Sequence, residues 1–300
     1  MKKKIFMVLS SVTVLTMGVL IVACSKDSNT LNPNEEGFVE EVKSAPTLQK
    51  TNSEAEWAAF NLEIEKLNAK YLAPEVIGRA KRVGMDSGDV TTKLKDRIVK
   101  ADRDGAGVGI GAGATIGVAA GGAGGGFLGA LAGGAIIGAI FSISEWWCLS
   151  GEGCMISINP LTSIDGLESD SIAALIGEQH NAIIEDFMKN PLVLTGVSDT
   201  IFLQDITERY ERLFGVVGDS IKSSINTLYL NKKYDFSVEV EKVVGNLDDA
   251  TKEMDIAQQH DYTEEYLEIV NATLSESEEK NQVAVSASVS YYSSAMWKVQ

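Results

Sequence analysis

The stretch GAGVGIGAGATIGVAAGGAGGGFLGALAGGAIIGAIFSIS, residues 105–144, decides how this chain must fold. It runs forty residues without a charge: 15 Gly, 10 Ala, 12 Val, Ile, Leu or Phe, and three hydroxyl residues. Over half of the chain's 28 glycines lie here, and their spacing is regular. Gly105, Gly109, Gly113, Gly117, Gly121, Gly125, Gly129 and Gly133 fall four apart without a miss, and Gly134 and Gly138 begin another pair. Residues four apart share one face of a helix, so the pattern is helical. Yet each glycine costs a helix about 1 kcal/mol against alanine. Fifteen of them would cancel the roughly 5–15 kcal/mol that holds an ordinary domain together. The compensation available is close approach, because a face without side chains lets another helix pack backbone to backbone. The segment is therefore expected to be helical only where it is paired.

Geometry predicts a fold-back. Four residues advance a helix by about 40° beyond one turn, so the glycine line winds about 280° and no single straight partner can follow it. One helix of forty residues would be about 60 Å long, twice the hydrocarbon thickness of a bilayer. Gly121-Gly122-Ala123-Gly124-Gly125-Gly126 lies near the middle as a natural breaker. That leaves arms over about 106–120 and 127–144, closed as an antiparallel hairpin. Asp102, Arg103 and Asp104 precede the run, and Glu145, Trp146 and Trp147 follow it. Two readings compete. The hairpin is either the buried centre of a soluble helical domain, or it enters a membrane with the Trp pair at one water–lipid boundary. The second resembles the glycine-zipper hairpins of some membrane-active bacterial proteins. Arms of about 15 to 18 residues sit close to the lower limit of roughly 17 for a span, which favours the first.

The chain opens Met1-Lys2-Lys3-Lys4, and residues 5–23 carry no charge. A short basic stretch before an apolar run reads as a secretory signal over residues 1–23. The residues Ile21-Val22-Ala23-Cys24 look like a bacterial lipobox, with Ile21 and Val22 as mild departures from its commonest form. That resemblance implies cleavage before Cys24, acylation there and, with Ser25 next instead of aspartate, sorting to the outer membrane. Acyl chains contribute about 0.8 kcal/mol per buried methylene, so two or more anchor a protein durably. Residues 24–53 are polar, with Pro33 and Pro46, and read as a flexible tether of about 30 Å end to end. The folded domain is expected over 54–300. Without Cys24 the remaining cysteines, Cys148 and Cys154, bracket a Gly-containing turn. In an oxidising compartment they read as a disulfide worth roughly 2 kcal/mol.

A formal charge of −16, more negative still without the three leading lysines, excludes nucleic-acid binding. Two histidines exclude any site built from three imidazoles. The remaining chain reads as helices over 54–72, where Trp57, Phe60, Leu62, Ile64 and Leu67 are the apolar positions, then 74–82, 89–102, a helix capped by Ser169 and Asp170 and running to Lys189, 199–214 and 220–230. Residues 238–254 are amphipathic but open Val-Glu-Val-Glu, which also suits a strand; a helix starts near Thr263 and ends near Leu274. Residues 278–297 form the last helix, although Val283, Val285, Ala287 and Val289 alternate as a strand would. The expected fold class is all-α: a helical domain around a central Gly/Ala-rich helical hairpin, after an N-terminal lipoprotein signal and tether.

His180 sits in an apolar stripe with Ile172, Ile176, Ile183 and Phe187, and reads as a core histidine more readily than as a ligand or a hydrolase's base. Glu178, Asn181, Glu185 and Asp186 lie near it in sequence but mostly point to other faces. His260 is expected to be exposed near a helix end. Residues 124–129 match G-x-G-x-x-G only formally, since no strand precedes them. No phosphate loop, nucleophile elbow or H-E-x-x-H occurs. The sequence thus offers no catalytic residue, metal ligand set or cofactor site.

Three further stretches complete a resemblance: Asp102-Arg103-Asp104-Gly105-Ala106, Ile176-Gly177-Glu178-Gln179-His180-Asn181, and Ser290-Tyr291-Tyr292-Ser293-Ser294-Ala295-Met296-Trp297. With the lipobox and the glycine run, they make the chain resemble uncharacterised exported lipoproteins of Bacteroidota-type bacteria. The resemblance implies an exported, mostly helical protein and brings no activity. The expectation is a non-catalytic lipoprotein, held to the outer membrane through lipid on Cys24 and acting on an envelope protein partner. The alternative is a membrane-active effector that inserts its hairpin into a bilayer.

Overall fold

A capping box starts the first helix. The Ser53 side chain accepts the Glu56 N–H, while the Glu56 carboxylate accepts the Ser53 N–H at 2.7 Å, so two of the orphan donors are satisfied at once. The computed structural model describes residues 51–72, 88–151, 155–168, 171–231, 236–252 and 254–299. The signal segment, Cys24, nearly all of the tether, the helix expected over 74–82, Cys154 and the Ser169–Asp170 cap lie outside those residues.

In chain order the elements are α1 (Glu54–Tyr71), α2 (Gly88–Gly151), β1 (Ile156–Ile158), a 3₁₀ turn (Leu161–Ser163), α3 (Ile172–Lys189), α4 (Asp199–Phe214), α5 (Asp219–Asn231), α6 (Val238–Thr251), α7 (Ile256–Thr273), α8 (Glu278–Met296) and β2 (Trp297–Val299). The fold is all-α, with one antiparallel strand pair, Ile156 opposite Val299 and Ile158 opposite Trp297. Helix α1 buries Trp57, Phe60, Ile64 and Leu67; Leu62, expected among them, is 53% exposed. Ser171 caps α3. The Val-Glu-Val-Glu stretch is helical, because Ser237 caps it and Val240, Val243, Val244 and Leu247 bury at helical spacing. Helix α7 begins at Ile256, seven residues before the expected start, because Asp255 and Gln258 form a second capping box.

The hairpin forms, but its arms are longer than expected. Helical backbone extends from the reversal out to Gly88 on one side and Gly151 on the other, so the charges at 102–104 do not end the first arm. A straight helix between those two ends would span about 95 Å. Instead Arg97 Nε meets Glu145 Oε1 at 2.7 Å, and a Cβ placed on Gly109 would lie 2.7 Å from the carbonyl carbon of Gly133. Gly105 faces Ile137 in the same way. All three pairs are symmetric about residue 121, so the chain reverses there, inside the expected breaker. In this register Gly109 stands opposite Gly133, glycine against glycine. Gly113, Gly117, Gly121 and Gly125, expected on the same packing face, lie outside the residues whose surroundings the structure describes.

Helix α8 lies along the hairpin, antiparallel to its first arm. It is buried on every side, with Val283, Val285, Ala287 and Val289 all under 2% exposed. A helix buried all round has no polar face and therefore no 3.6-residue period, which is why its sequence could pass for a strand. Its small residues admit the glycines: Ser286 stands against Gly107, and Ser288 against Gly177. One apolar cluster joins α1, α6, α7 and α8 to the arms at Ala106, Ile110, Ala130 and Leu131. A second joins α3, α4 and α5 to residues 132–143.

Gly177 offers a direct check on this packing. A Cβ there would lie 2.6 Å from Ser288 Oγ and closer still to the Tyr292 ring, whose hydroxyl accepts the Leu167 N–H. Gly177→Ala is therefore expected to lower stability by about 1–3 kcal/mol, overriding alanine's helix preference. A urea midpoint at or above that of the wild type would contradict the contact.

Candidate functional site

The site is assembled from four elements around one buried carboxylate. Asp102 lies on the first arm of α2 and is fully buried. The Ser293 hydroxyl of α8 and the Trp297 indole N–H of β2 (3.0 Å) both donate to its Oδ2. Ser142 stands beside it on the second arm. From α3, His180 places Nε2 at 3.9 Å from Asp102 Oδ2, and it too is fully buried. Asn181 fixes the ring: its Nδ2 donates to the Tyr292 carbonyl at 2.8 Å, so its Oδ1 faces His180 Nδ1 at 2.9 Å and accepts from it. Gly138 makes room for the imidazole, since a Cβ there would lie 2.8 Å from His180 Cδ2.

The three stretches that carried the resemblance therefore meet in space: Asp102 from the first, His180 and Asn181 from the second, Ser293 and Trp297 from the third. Their short lengths reflect a shared contact point more than separate motifs. The expectation that His180 is a hydrogen-bonded core histidine holds. The expectation that Asn181 points to another face does not, because Asn181 is the residue that orients the ring.

Electrostatics favour two neutral groups here. Burial pushes the Asp102 carboxyl up from 3.8 to about 7, against the hydrogen bonds from Ser293 and Trp297. Burial pushes His180 down from 6.5 to about 4, against its hydrogen bond to Asn181. A proton can be held by such a pair, but no substrate reaches it. Chemically the cluster is a clamp that joins both arms to α3, α8 and β2.

The neighbouring Arg103 is nearly as buried and does a related job. Its guanidinium donates to Asp104 Oδ1 through Nε (3.0 Å) and Nη2 (2.7 Å), and it pairs with Asp248 of α6. Asp102 and Arg103 of the Asp-Arg-Asp lead-in are thus anchored within the protein. Trp146 also packs inward, edge-on to Phe187 with centroids 6.2 Å apart. The segment Gly129–Gly151 is long and apolar enough to cross a membrane, and 67% of its apolar window is buried inside the protein.

His260 is half-buried in the second turn of α7, not exposed; it lies against the Gly166 carbonyl (3.2 Å) and Asp261. Among the described residues no three His, Cys, Asp or Glu side chains converge as a metal site. Cys148 stands half-buried in the last turn of α2. A shallow cleft of about 380 Å³ opens where the chain enters the domain, lined by Asn52, Glu54, Trp57, Asn61, Glu239 and Glu279. There the buried Glu279 accepts the Asn52 N–H at 2.7 Å, Asn52 Nδ2 donates to the Ser275 carbonyl at 3.1 Å, and Ser277 donates to Asn52 Oδ1. Searches against protein-family models, curated proteins and solved structures find no match to the chain.

Proposed function

We propose that this chain is a lipid-anchored, non-catalytic protein of the bacterial cell envelope, held to the outer membrane through Cys24 and acting by protein contacts. The observation that carries the reading is the use made of its chemistry-bearing residues. Asp102 and His180 are spent on clamping the hairpin and are sealed from solvent, and Gly105 and Gly109 are spent on packing against the backbone of the second arm. Export also supports a Cys148–Cys154 disulfide, which would fasten the last turn of α2 to the residues that follow it in the chain.

The experiment compares the full chain with Cys24→Ser in cells. The wild type is expected to take up labelled palmitate and float with outer membranes, and Cys24→Ser is expected to do neither. The unlipidated mature chain should stay monodisperse without detergent and release no dye from vesicles. Dye release would instead support the membrane-active alternative, which has the length and hydropathy of Gly129–Gly151 in its favour.

A further inference from the structure

We propose that the shallow cleft at the N-terminal ends of α1, α6 and α8 is a docking site for a lysine side chain of a partner protein. This rests on the reading that the chain acts by protein contacts, and it names what such a contact inserts. Three carboxylates line the cleft, one from each helix: Glu54, Glu239 and Glu279. The first turn of a helix favours negative charge, which accounts for a carboxylate at each position. It supplies no counter-charge. No Lys, Arg or His lines the cleft, and among the described residues none of the three carboxylates enters an ion pair. The neighbouring Lys280 pairs instead with Glu276 at 2.5 Å.

Glu279 marks where the occupant's charge sits. It is only 4% exposed, and a buried carboxylate is costly unless hydrogen bonds or an opposite charge compensate it. Its Oε2 accepts the Asn52 N–H at 2.7 Å. Among the described residues Oε1 takes no hydrogen bond, yet it is not sealed from solvent as Asp102 Oδ1 is. It therefore opens into the cleft that Glu279 lines. Asn52 holds this arrangement in place, because its side chain is bound to the Ser275 carbonyl and the Ser277 hydroxyl.

Shape selects among cations. The three carboxylates do not converge as a metal site, which leaves a charge carried on a stem. Trp57, 6% exposed, and the exposed Ala58 form an apolar wall. A four-carbon stem can lie along that wall with its ammonium at Glu279. Only one Glu279 oxygen is free, so the two-pronged fork of arginine finds no matching pair, while the single-point ammonium of lysine does. The cleft holds about 380 Å³, at the small end of the roughly 300–1,000 Å³ of ligand sites. Such sites bury most of a small molecule's surface, which a shallow cleft does not. A side chain projecting from a protein needs only its tip enclosed. Val238, 76% exposed and next to Glu239, adds an apolar contact beside the cleft for the rest of that partner.

The test follows the indole N–H signals of the four tryptophans by NMR in the full mature chain. The Trp57 signal is the one lost in Trp57→Phe. The probe is an acetylated, amidated pentapeptide with a central lysine among alanines. It is expected to move the Trp57 signal and leave the others, and the same peptide with norleucine for lysine is expected to move none. Glu279→Gln keeps an acceptor for Asn52 and should weaken the peptide by about tenfold. Glu239→Gln should weaken it by about threefold. Asp249→Asn removes an exposed charge at the other end of α6 and should leave binding unchanged. If Glu279→Gln does not fold, as judged by circular dichroism, the exposed Glu239 decides. A peptide that moves no signal, or that binds all three variants alike through the overall charge of −16, overturns the docking site. If free butylammonium moves the Trp57 signal at the same concentrations as the peptide, the occupant is a free amine and the partner is overturned. Each of these failures leaves the protein-contact reading to other faces of the molecule, whereas dye release from vesicles fails that reading itself.

Discussion

Replacing Gly109 with alanine is expected to destabilise the protein by about 3 kcal/mol or more, and leucine there should prevent folding. Both effects run against intrinsic preference, because alanine in a helix is worth about 1 kcal/mol over glycine. The reason is the partner. A Cβ on Gly109 would lie 2.7 Å from the carbonyl carbon of Gly133 and closer still to its oxygen. Backbone cannot rotate away as a side chain can, so the arms must part. Parting them opens the buried layer of Ala106, Ile110, Ala130 and Ile137, each under 5% exposed. Gly245→Ala is the matched control, since nothing lies within 4 Å of its Cβ position on α6. That change should stabilise by about 0.5–1 kcal/mol, the glycine penalty with no contact to oppose it. Urea unfolding followed by far-ultraviolet circular dichroism gives both midpoints. If the two alanine variants shift in the same direction, the close approach of the arms is not what holds the hairpin.

The hairpin was legible because glycine spacing states both a period and a cost. The period gives the helix and the cost demands a partner. Arm length was not legible, since the charges at 102–104 look like a helix end. Physically a charge does not interrupt a helix, and Asp102 and Arg103 found partners inside the protein. Helix α8 was hidden for the opposite reason. With Val283 and Ala287 buried on one face and Val285 and Val289 on the opposite one, it shows no amphipathic rhythm to read. The start of α7 could have been found, because Asp255 with Gln258 three residues on is a readable capping box. The Asp102–His180 pair could not. Seventy-eight residues separate its members, and only the folded register of α2, α3 and α8 brings them together.

That pair predicts opposite pH profiles for two conservative variants. Asp102 titrates near 3.8 when unfolded and at about 7 when folded, so the folded chain keeps a proton that the unfolded chain has lost. Its stabilising contribution is complete below pH 3.8 and declines as pH rises through 7, by about 1.4 kcal/mol per unit at most. His180 does the reverse: titrating at 6.5 unfolded and about 4 folded, it contributes fully above pH 6.5 and loses that contribution as pH falls through 4. Between about pH 4 and 6.5 the two slopes oppose and largely cancel, so the wild type should resemble Asp102→Asn combined with His180→Gln there. Each single variant uncovers the other group. Asp102→Asn leaves an acceptor for Ser293 and Trp297 and removes only the titration, so its stability should rise with pH across that window. His180→Gln should instead lose stability from pH 4 to 7. Measuring urea midpoints at half-unit steps, against the double variant as baseline, separates these slopes from the carboxylates common to all four proteins. Single variants whose profiles slope the same way would mean that the buried pair does not hold its members neutral, and the clamp would have to be rebuilt around an ion pair.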